Sequence, residues 1–156
     1  METIKFRGKS VHNNEWIFGY YCFDRQSKTH YIFTDDVEVG FEVKSETIGM
    51  FTGFKSEKGK KGLVGVEVYE GDVFRQEKEN EAGEPIFGYC VVMWIRQRGA
   101  FYIIPVEHYY ILLDNDCSKE VEFDWLFEDA ELYDFSIDVG LPMIGNIYDN
   151  PELLKK

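Results

Sequence analysis

The chain has 156 residues, 44% of them hydrophobic and 17% aromatic, and carries a formal net charge of -12. That is enough apolar material for one packed domain or two small subdomains, and it excludes a disordered chain. The acidity argues against non-specific binding to phosphate backbones, which needs cations to displace counterions, and no apolar run approaches the ~20 residues of a membrane helix.

Taken in chain order, the sequence predicts short strands. Residues 3–7, TIKFR, alternate and stop at Gly8. A loop, GKSVHNN, then leads into EWIFGYYCF, residues 15–23, where Trp16, Phe18, Tyr20 and Cys22 share one face and Ile17, Tyr21 and Phe23 the other. Apolar residues on both faces predict a central strand covered on both sides. THYIF, residues 29–33, returns as its hairpin partner across DRQSK. Residues 55–62, KSEKGKKG, hold four lysines and two glycines and are expected to form an exposed, mobile turn.

The second half continues with VEVYEGDVFRQ (66–76), a polar loop (77–85), IFGYCVVMWIRQ (86–97), GAFYIIP (99–105) and HYYILL (108–113). Short strands joined by Gly-bearing turns, with RQRG (96–99) as a tight hairpin turn, predict a small antiparallel, SH3-like barrel over residues 66–113. VEFDWLFEDAELYDF (121–135) reads as a strand followed by a turn. LPMIGNIY (141–148) reads as an apolar strand with a bulge or close approach at Gly145. After it, Asn150, Pro151 and Glu152 have the chemistry of a helix start: a capping amide, a proline suited to the first turn, and an acid facing the positive end. So short a helix needs Leu153 and Leu154 to dock on the rest of the domain. The fold class expected is therefore mainly β, a single domain over 1–156 that subdivides into an N-terminal β part (1–62) and a barrel plus C-terminal tail (63–156).

Charge divides along the same line. Residues 1–62 hold ten Lys/Arg against nine Asp/Glu, a net of +1, and residues 63–156 hold seven against twenty, a net of -13. Within the second part, Glu107 to Asp138 contains eleven acids and only Lys119 as a base, either a solvated face that aids solubility or a recognition element. The N-terminus, METIKFRGKS, places charge where a signal peptide would be apolar, so a cytoplasmic location is expected. Cys22, Cys90 and Cys117 are odd in number, far apart and without a Cys-x-x-Cys pair, which predicts reduced thiols rather than a disulfide framework or zinc clip.

IKFRGKS at the start, IGMFTGFKSEKGKKG followed by VYEGDVF in the middle, and IGNIYDNPELL at the end resemble, in this order, the YopX family of prophages and temperate bacteriophages. The three blocks cover about a third of the chain. One departure is LVGVE (63–67), inserted where relatives pass almost directly from the Gly/Lys turn into the next strand. The resemblance implies a phage-derived, largely β protein and homo-oligomeric assembly in some members. It implies no activity and no catalytic residues.

Candidate chemistry is sparse. Glu70 and Asp72 in YEGD are two carboxylates within three residues, the material of an acid–base pair or a divalent-ion site. Gly71 between them instead favours a turn whose acids satisfy backbone amides. DNDCSKE, from Asp114, imitates the start of a calcium loop but has Lys119 where glycine is needed and Trp125 where the bidentate glutamate belongs. GFKSEKGKKG fails as a phosphate loop: five residues separate Gly53 from Gly59, and Lys61 stands where Ser or Thr would meet magnesium. His12, His30 and His108 lie in separate segments with no metal-ligand spacing. Cys90, in YCVVMW, reads as core rather than nucleophile, and Tyr109 and Tyr110 read as packing rather than as a stacking platform. No catalytic, cofactor-binding or metal-ligating set emerges.

The function expected is a phage- or prophage-derived, non-enzymatic protein-interaction module in the cytoplasm of the bacterial host, contacting a protein partner or a second copy of itself, with no nucleic acid or membrane bound directly. Two alternatives differ in class. One is an acidic DNA mimic that occupies a host nucleic-acid-binding protein, and the other is a small hydrolase using Glu70 and Asp72.

Overall fold

In the computed structural model, residues 4–36, 38–96, 99–114, 133–134 and 141–155 are described. The chain divides into two units, Met1–Phe54 and Lys55–Lys156, so the boundary precedes the lysine-rich turn where the charge step had placed it after.

The first unit is an antiparallel sheet of β1 (Phe6–Lys9), β2 (Trp16–Asp24), β3 (Thr29–Phe33), β4 (Gly40–Glu42) and β5 (Gly49–Lys55), in the order β4-β3-β2-β1-β5. β2 lies inside the sheet as expected, pairing with β1 through Gly19 and with β3 from Tyr20 onward. The handover requires glycine, because a Cβ at Gly19 would collide with the Phe33 carbonyl oxygen. Ile32 and Val43 form the buried centre, and Gly8 lets them close: a Cβ there would sit 3.0 Å from the Val43 Cβ and 3.2 Å from the Ile32 Cδ1. A 3-10 turn at Ser45–Thr47 is tied down by Thr47, whose hydroxyl accepts from the Lys9 amide at 2.8 Å.

The β2–β3 hairpin is closed by Asp24, whose carboxylate accepts from the Gln26 amide at 2.9 Å and from the Ser27 hydroxyl at 2.8 Å. These bonds, the Ser27 one first, hold its carboxyl below the usual carboxylate range. A lowered pKa in the folded state means stability that is present above the ordinary carboxylate pKa and is lost as pH falls through the lowered value. Asp24→Ala is therefore expected to flatten the acid limb of the stability–pH curve, measured by urea denaturation between about pH 2 and pH 5.

The second unit holds β6 (Lys58–Gly59), β7 (Glu67–Tyr69), β8 (Asp72–Glu79), β9 (Pro85–Ile95), β10 (Ala100–Pro105), α1 (Val106–Asp114), β11 (Tyr133–Asp134) and β12 (Pro142–Asn146). Its main sheet runs β11-β10-β9-β8-β12-β6, antiparallel except for β12 with β6. Strand side chains alternate between faces, and here neighbours in sequence are buried on opposite faces. Val73, Val91, Ile104 and Ile144 pack on one side with Val106, Tyr109 and Leu112. Phe74, Cys90, Val92, Ile103 and Met143 pack on the other with Val68. This double burial explains why β9 and β10 read as continuous apolar runs.

Among the described residues the fold is mainly β, and the sheet does not close into the SH3-like barrel expected for residues 66–113. The reason is HYYILL, which is helical within α1 rather than a further strand. Pro105 ends the β10 ladder because it has no N–H to donate, and Val106, Tyr109 and Leu112, three residues apart, then lay one apolar stripe on the sheet. Burial of that stripe outweighs the poor helix propensity of valine and tyrosine. The lysine-rich turn departs from expectation too. Its lysines point outward, but Gly59 pairs with Met143, and buried Ser56 exchanges backbone hydrogen bonds with Val66 and Gly65 and donates its hydroxyl to the Leu63 carbonyl. These bonds tie the turn to β12 and to residues 63–66. Residues 115–132 and 135–140, with most of the acidic stretch, the calcium-like motif after Asp114 and all of 121–135 except β11, lie outside the described residues.

β12 bulges between Met143 and Gly145, as the glycine predicted. A Cβ at Gly145 would strike the Asn150 side chain, whose Oδ1 accepts from the Asn146 amide at 3.3 Å. Asn150 holds the N-cap position as expected but makes no side-chain capping bond: its side chain braces the preceding turn, and the short element after it is a 3-10 helix, Pro151–Leu154. Leu153 and Leu154 do dock, half-buried against the helix-side core. Leu154→Ala is expected to cost about 1–2 kcal/mol in a denaturant melt, the partial-burial end of the range for leucine truncation.

Candidate functional site

The sequence singled out Glu70 and Asp72: Glu70 lies in the turn between β7 and β8, and Asp72 opens β8. Gly71 adopts φ +86, donates its N–H to the Val92 carbonyl at 2.9 Å and accepts from the Ile147 amide at 2.9 Å. Its missing side chain matters, since a Cβ would lie 2.8 Å from the Tyr148 ring. Asp72 is 0% exposed, and its Oδ2 accepts from the Tyr69 amide at 2.7 Å, closing the turn on itself. Glu70 turns the other way and accepts from the Trp94 amide of β9 at 3.2 Å. The two carboxylates thus serve different backbone amides on different elements. An acid–base pair needs both within reach of one proton on a substrate, whereas this arrangement brings Asp72 to the turn and Glu70 to β9. Nearby, burial pushes the Tyr109 hydroxyl well above the usual phenol range, with Tyr148, Tyr110 and Glu70 adding to the effect, so Tyr109 remains a neutral, packed phenol.

The remaining candidates disperse. Cys90 is buried in the sheet with its thiol 3.4 Å from the Gln76 amide oxygen, and Cys22 is exposed. His30 sits between Tyr21 and Phe23, its Nδ1 2.8 Å from the Tyr21 hydroxyl, while His12 is exposed and His108 lies on α1. Among the described residues no three His, Cys, Asp or Glu side chains gather as a metal site, and no helix is long and apolar enough to cross a membrane.

The surface that sequence reasoning missed is on the first unit. Antiparallel register sets Arg7 opposite Phe18 and Lys9 opposite Trp16. Arg7 and Lys9 are only 5% and 8% exposed, with the guanidinium 4.5 Å and the ammonium 5.2 Å from the Trp16 ring centre. These distances are those of cation–π contacts. Phe18 and Tyr20, by contrast, remain 45% and 41% exposed. Two clefts open here. One, of about 510 Å³, is lined by Ile4, Met50, Phe51, Thr52 and Gly53, and the other, of about 470 Å³, by Trp16, Ile17, Phe18, Gly19, Thr34, Asp35, Asp36 and Phe41. Lys5 and Tyr20 border both. Apolar alternation along EWIFGYYCF pointed to packing on both faces, and only the three-dimensional arrangement shows that Phe18 and Tyr20 keep nearly half of their surface exposed. A smaller apolar patch lies at the start of β9 in the second unit, where Ile86 and Phe87 are exposed and Arg75 stacks over Phe87 at 4.9 Å.

No curated protein and no solved structure matches the chain. The family model described as YopX protein, however, matches residues 5–155. That match runs from Lys5 at the rim of the clefts, through the Tyr69–Asp72 turn, to the docked C-terminal leucines, and the chain belongs to the YopX family.

Proposed function

We propose that this protein is a protein-interaction module of phage or prophage origin, acting in the cytoplasm of the bacterial host by contact rather than by catalysis. The observation that carries the reading is the partial exposure of two aromatic side chains of the first unit, Phe18 at 45% and Tyr20 at 41%, beside two clefts. Large apolar side chains left open beside a concave surface are the usual mark of a binding surface. The turn carboxylates support the same reading, because their hydrogen bonds hold the fold together. The partner is a host protein or a second copy of the chain.

Substituting Phe18→Ser together with Tyr20→Ser tests the proposal. The double variant is expected to keep its circular dichroism spectrum and to melt cooperatively, about 5–10 °C lower at most. It is also expected to lose, in quantitative capture from host lysate or in light-scattering mass, whatever the wild type binds. A variant that assembles and captures as the wild type does would remove this face from the function.

A further inference from the structure

We propose that the edge of β9 at Phe87 and Tyr89 takes an extended segment of a partner protein as an added antiparallel strand, one that joins β-branched apolar residues to lysine or arginine. This edge belongs to the second unit, so the inference does not depend on Phe18 and Tyr20. β9 runs from Pro85 to Ile95, but β10 pairs with it only between Ile95 and Cys90, and β12 pairs with β8 only as far as Phe74. Beyond those points β8 and β9 continue as a two-stranded ribbon, in register from Arg75↔Tyr89 to Glu79↔Pro85. Among the described residues no further strand pairs with either side of it.

The N–H and C=O of one strand residue point to the same edge, and those of the next residue to the other. In β9 the Val92 carbonyl accepts from Gly71 on the β8 side, and the Ile95 carbonyl accepts from Gly99 on the β10 side. Counted in twos from these, Ile86 and Gly88 turn toward β8, whereas Phe87 and Tyr89 turn their backbone groups outward, past the end of the β10 ladder. The opposite edge of the ribbon carries Arg75, Glu77 and Glu79, their partners in register. Charged side chains are how natural sheets guard an edge against further pairing, and here only the β8 edge is guarded. On the β9 edge Phe87 is 57% and Tyr89 37% exposed. Arg75 stacks over the Phe87 ring at 4.9 Å and still leaves more than half of that residue in water. Charge then selects the occupant. Residues 77–84, at the far end of the ribbon, hold four glutamates against Lys78, a net of -3, and all four glutamates are exposed. A segment seated on Phe87 and Tyr89 therefore wants apolar residues where it crosses the rings and cations beside the acids. An acidic loop alone would attract any cation, but outward donors and acceptors on a strand take an extended backbone.

The test is fluorescence polarisation with the labelled peptide Lys-Val-Thr-Val-Thr-Val-Lys and its acidic counterpart Glu-Val-Thr-Val-Thr-Val-Glu. Wild-type protein is expected to bind the basic peptide about tenfold more tightly, because like charges brought together are disfavoured. Glu77→Lys combined with Glu79→Lys is expected to reverse that preference. N-methylation of the three valine amides, which in an antiparallel pair with the valines on the aromatic face are the ones turned to β9, is expected to weaken binding at least about tenfold, and N-methylation of the threonine amides to change it by less than about threefold. In the protein, Phe87→Pro removes an outward N–H, a position where a strand tolerates proline, and is expected to abolish binding while the circular dichroism spectrum is kept. Phe87→Val, which keeps the N–H, is expected to bind within about threefold of wild type. Equal binding of the two peptides, equal effects of the two methylation patterns, or no binding of either peptide would overturn the inference. So would a wild-type dimer that falls to a monomer in Phe87→Pro, which gives the edge to a second copy of the chain. If no peptide binds while the Phe18/Tyr20 double variant still loses its partner, the face of the first unit stands and this edge falls.

Discussion

Asp72→Ala is expected to destabilise the protein by about 2–3 kcal/mol, the cost of leaving a buried amide without its acceptor together with the space vacated by the carboxylate. The buried oxygen at 2.7 Å from the Tyr69 amide is what the substitution removes, at a site with no exposure. Asp72→Asn keeps an oxygen in the same position and is expected to cost less. Glu70→Gln, which preserves the acceptor for Trp94, is expected to change stability by less than about 1 kcal/mol. The three variants, compared by urea denaturation with a common slope, separate a structural turn from a catalytic pair. A pair whose task was chemistry would tolerate Asp72→Ala in stability and lose only turnover. If Asp72→Ala melts within about 0.5 kcal/mol of the wild type, the range of ordinary surface substitutions, the turn is not what holds Asp72 in place.

How far the sequence was legible depends on whether the deciding contact was local. The β2–β3 hairpin, the bulge at Gly145 and the turn at Gly71 follow from residues within a few positions of one another, and all three are present. The docking of Leu153 and Leu154 was also readable, because a four-residue element has no stability of its own. Misreadings occurred where partners distant in sequence decide. HYYILL is a short apolar run of the length of a buried strand, yet the apolar surface of β9 and β10 draws Val106, Tyr109 and Leu112 into one helical stripe. KSEKGKKG has the composition of a loose loop, but β12 pairs with its Gly59 across more than 80 residues of chain. Asn150 has the chemistry of a helix cap, and its oxygen is taken by Asn146 instead. The candidate surface was the least legible feature of all. Trp16, Phe18 and Tyr20 occupy alternate positions on one face of one strand, and nothing in that spacing says whether the face meets a core or solvent.

Phe74→Ala and Phe18→Ala put that distinction to measurement, because they delete the same atoms from strands in the two units. Phe74 is 0% exposed and packed among Val68, Cys90, Val92, Ile103 and Met143. Its truncation removes a full aromatic transfer term and leaves a void walled by rigid strands, for an expected loss of about 3–5 kcal/mol. Phe18, with 45% of its surface already in water, leaves no closed cavity. Only its partial burial beside Arg7 is lost, and the expected cost is below about 1 kcal/mol. If Phe18 were instead a core residue, the two variants would fall by similar amounts. A stability difference of several kcal/mol in denaturant melts, with Phe18→Ala alone impairing assembly or partner capture, is the result that marks the open face as kept for binding. Equal destabilisation would place Phe18 in the hydrophobic core and leave the first unit without the surface on which its function is proposed to rest.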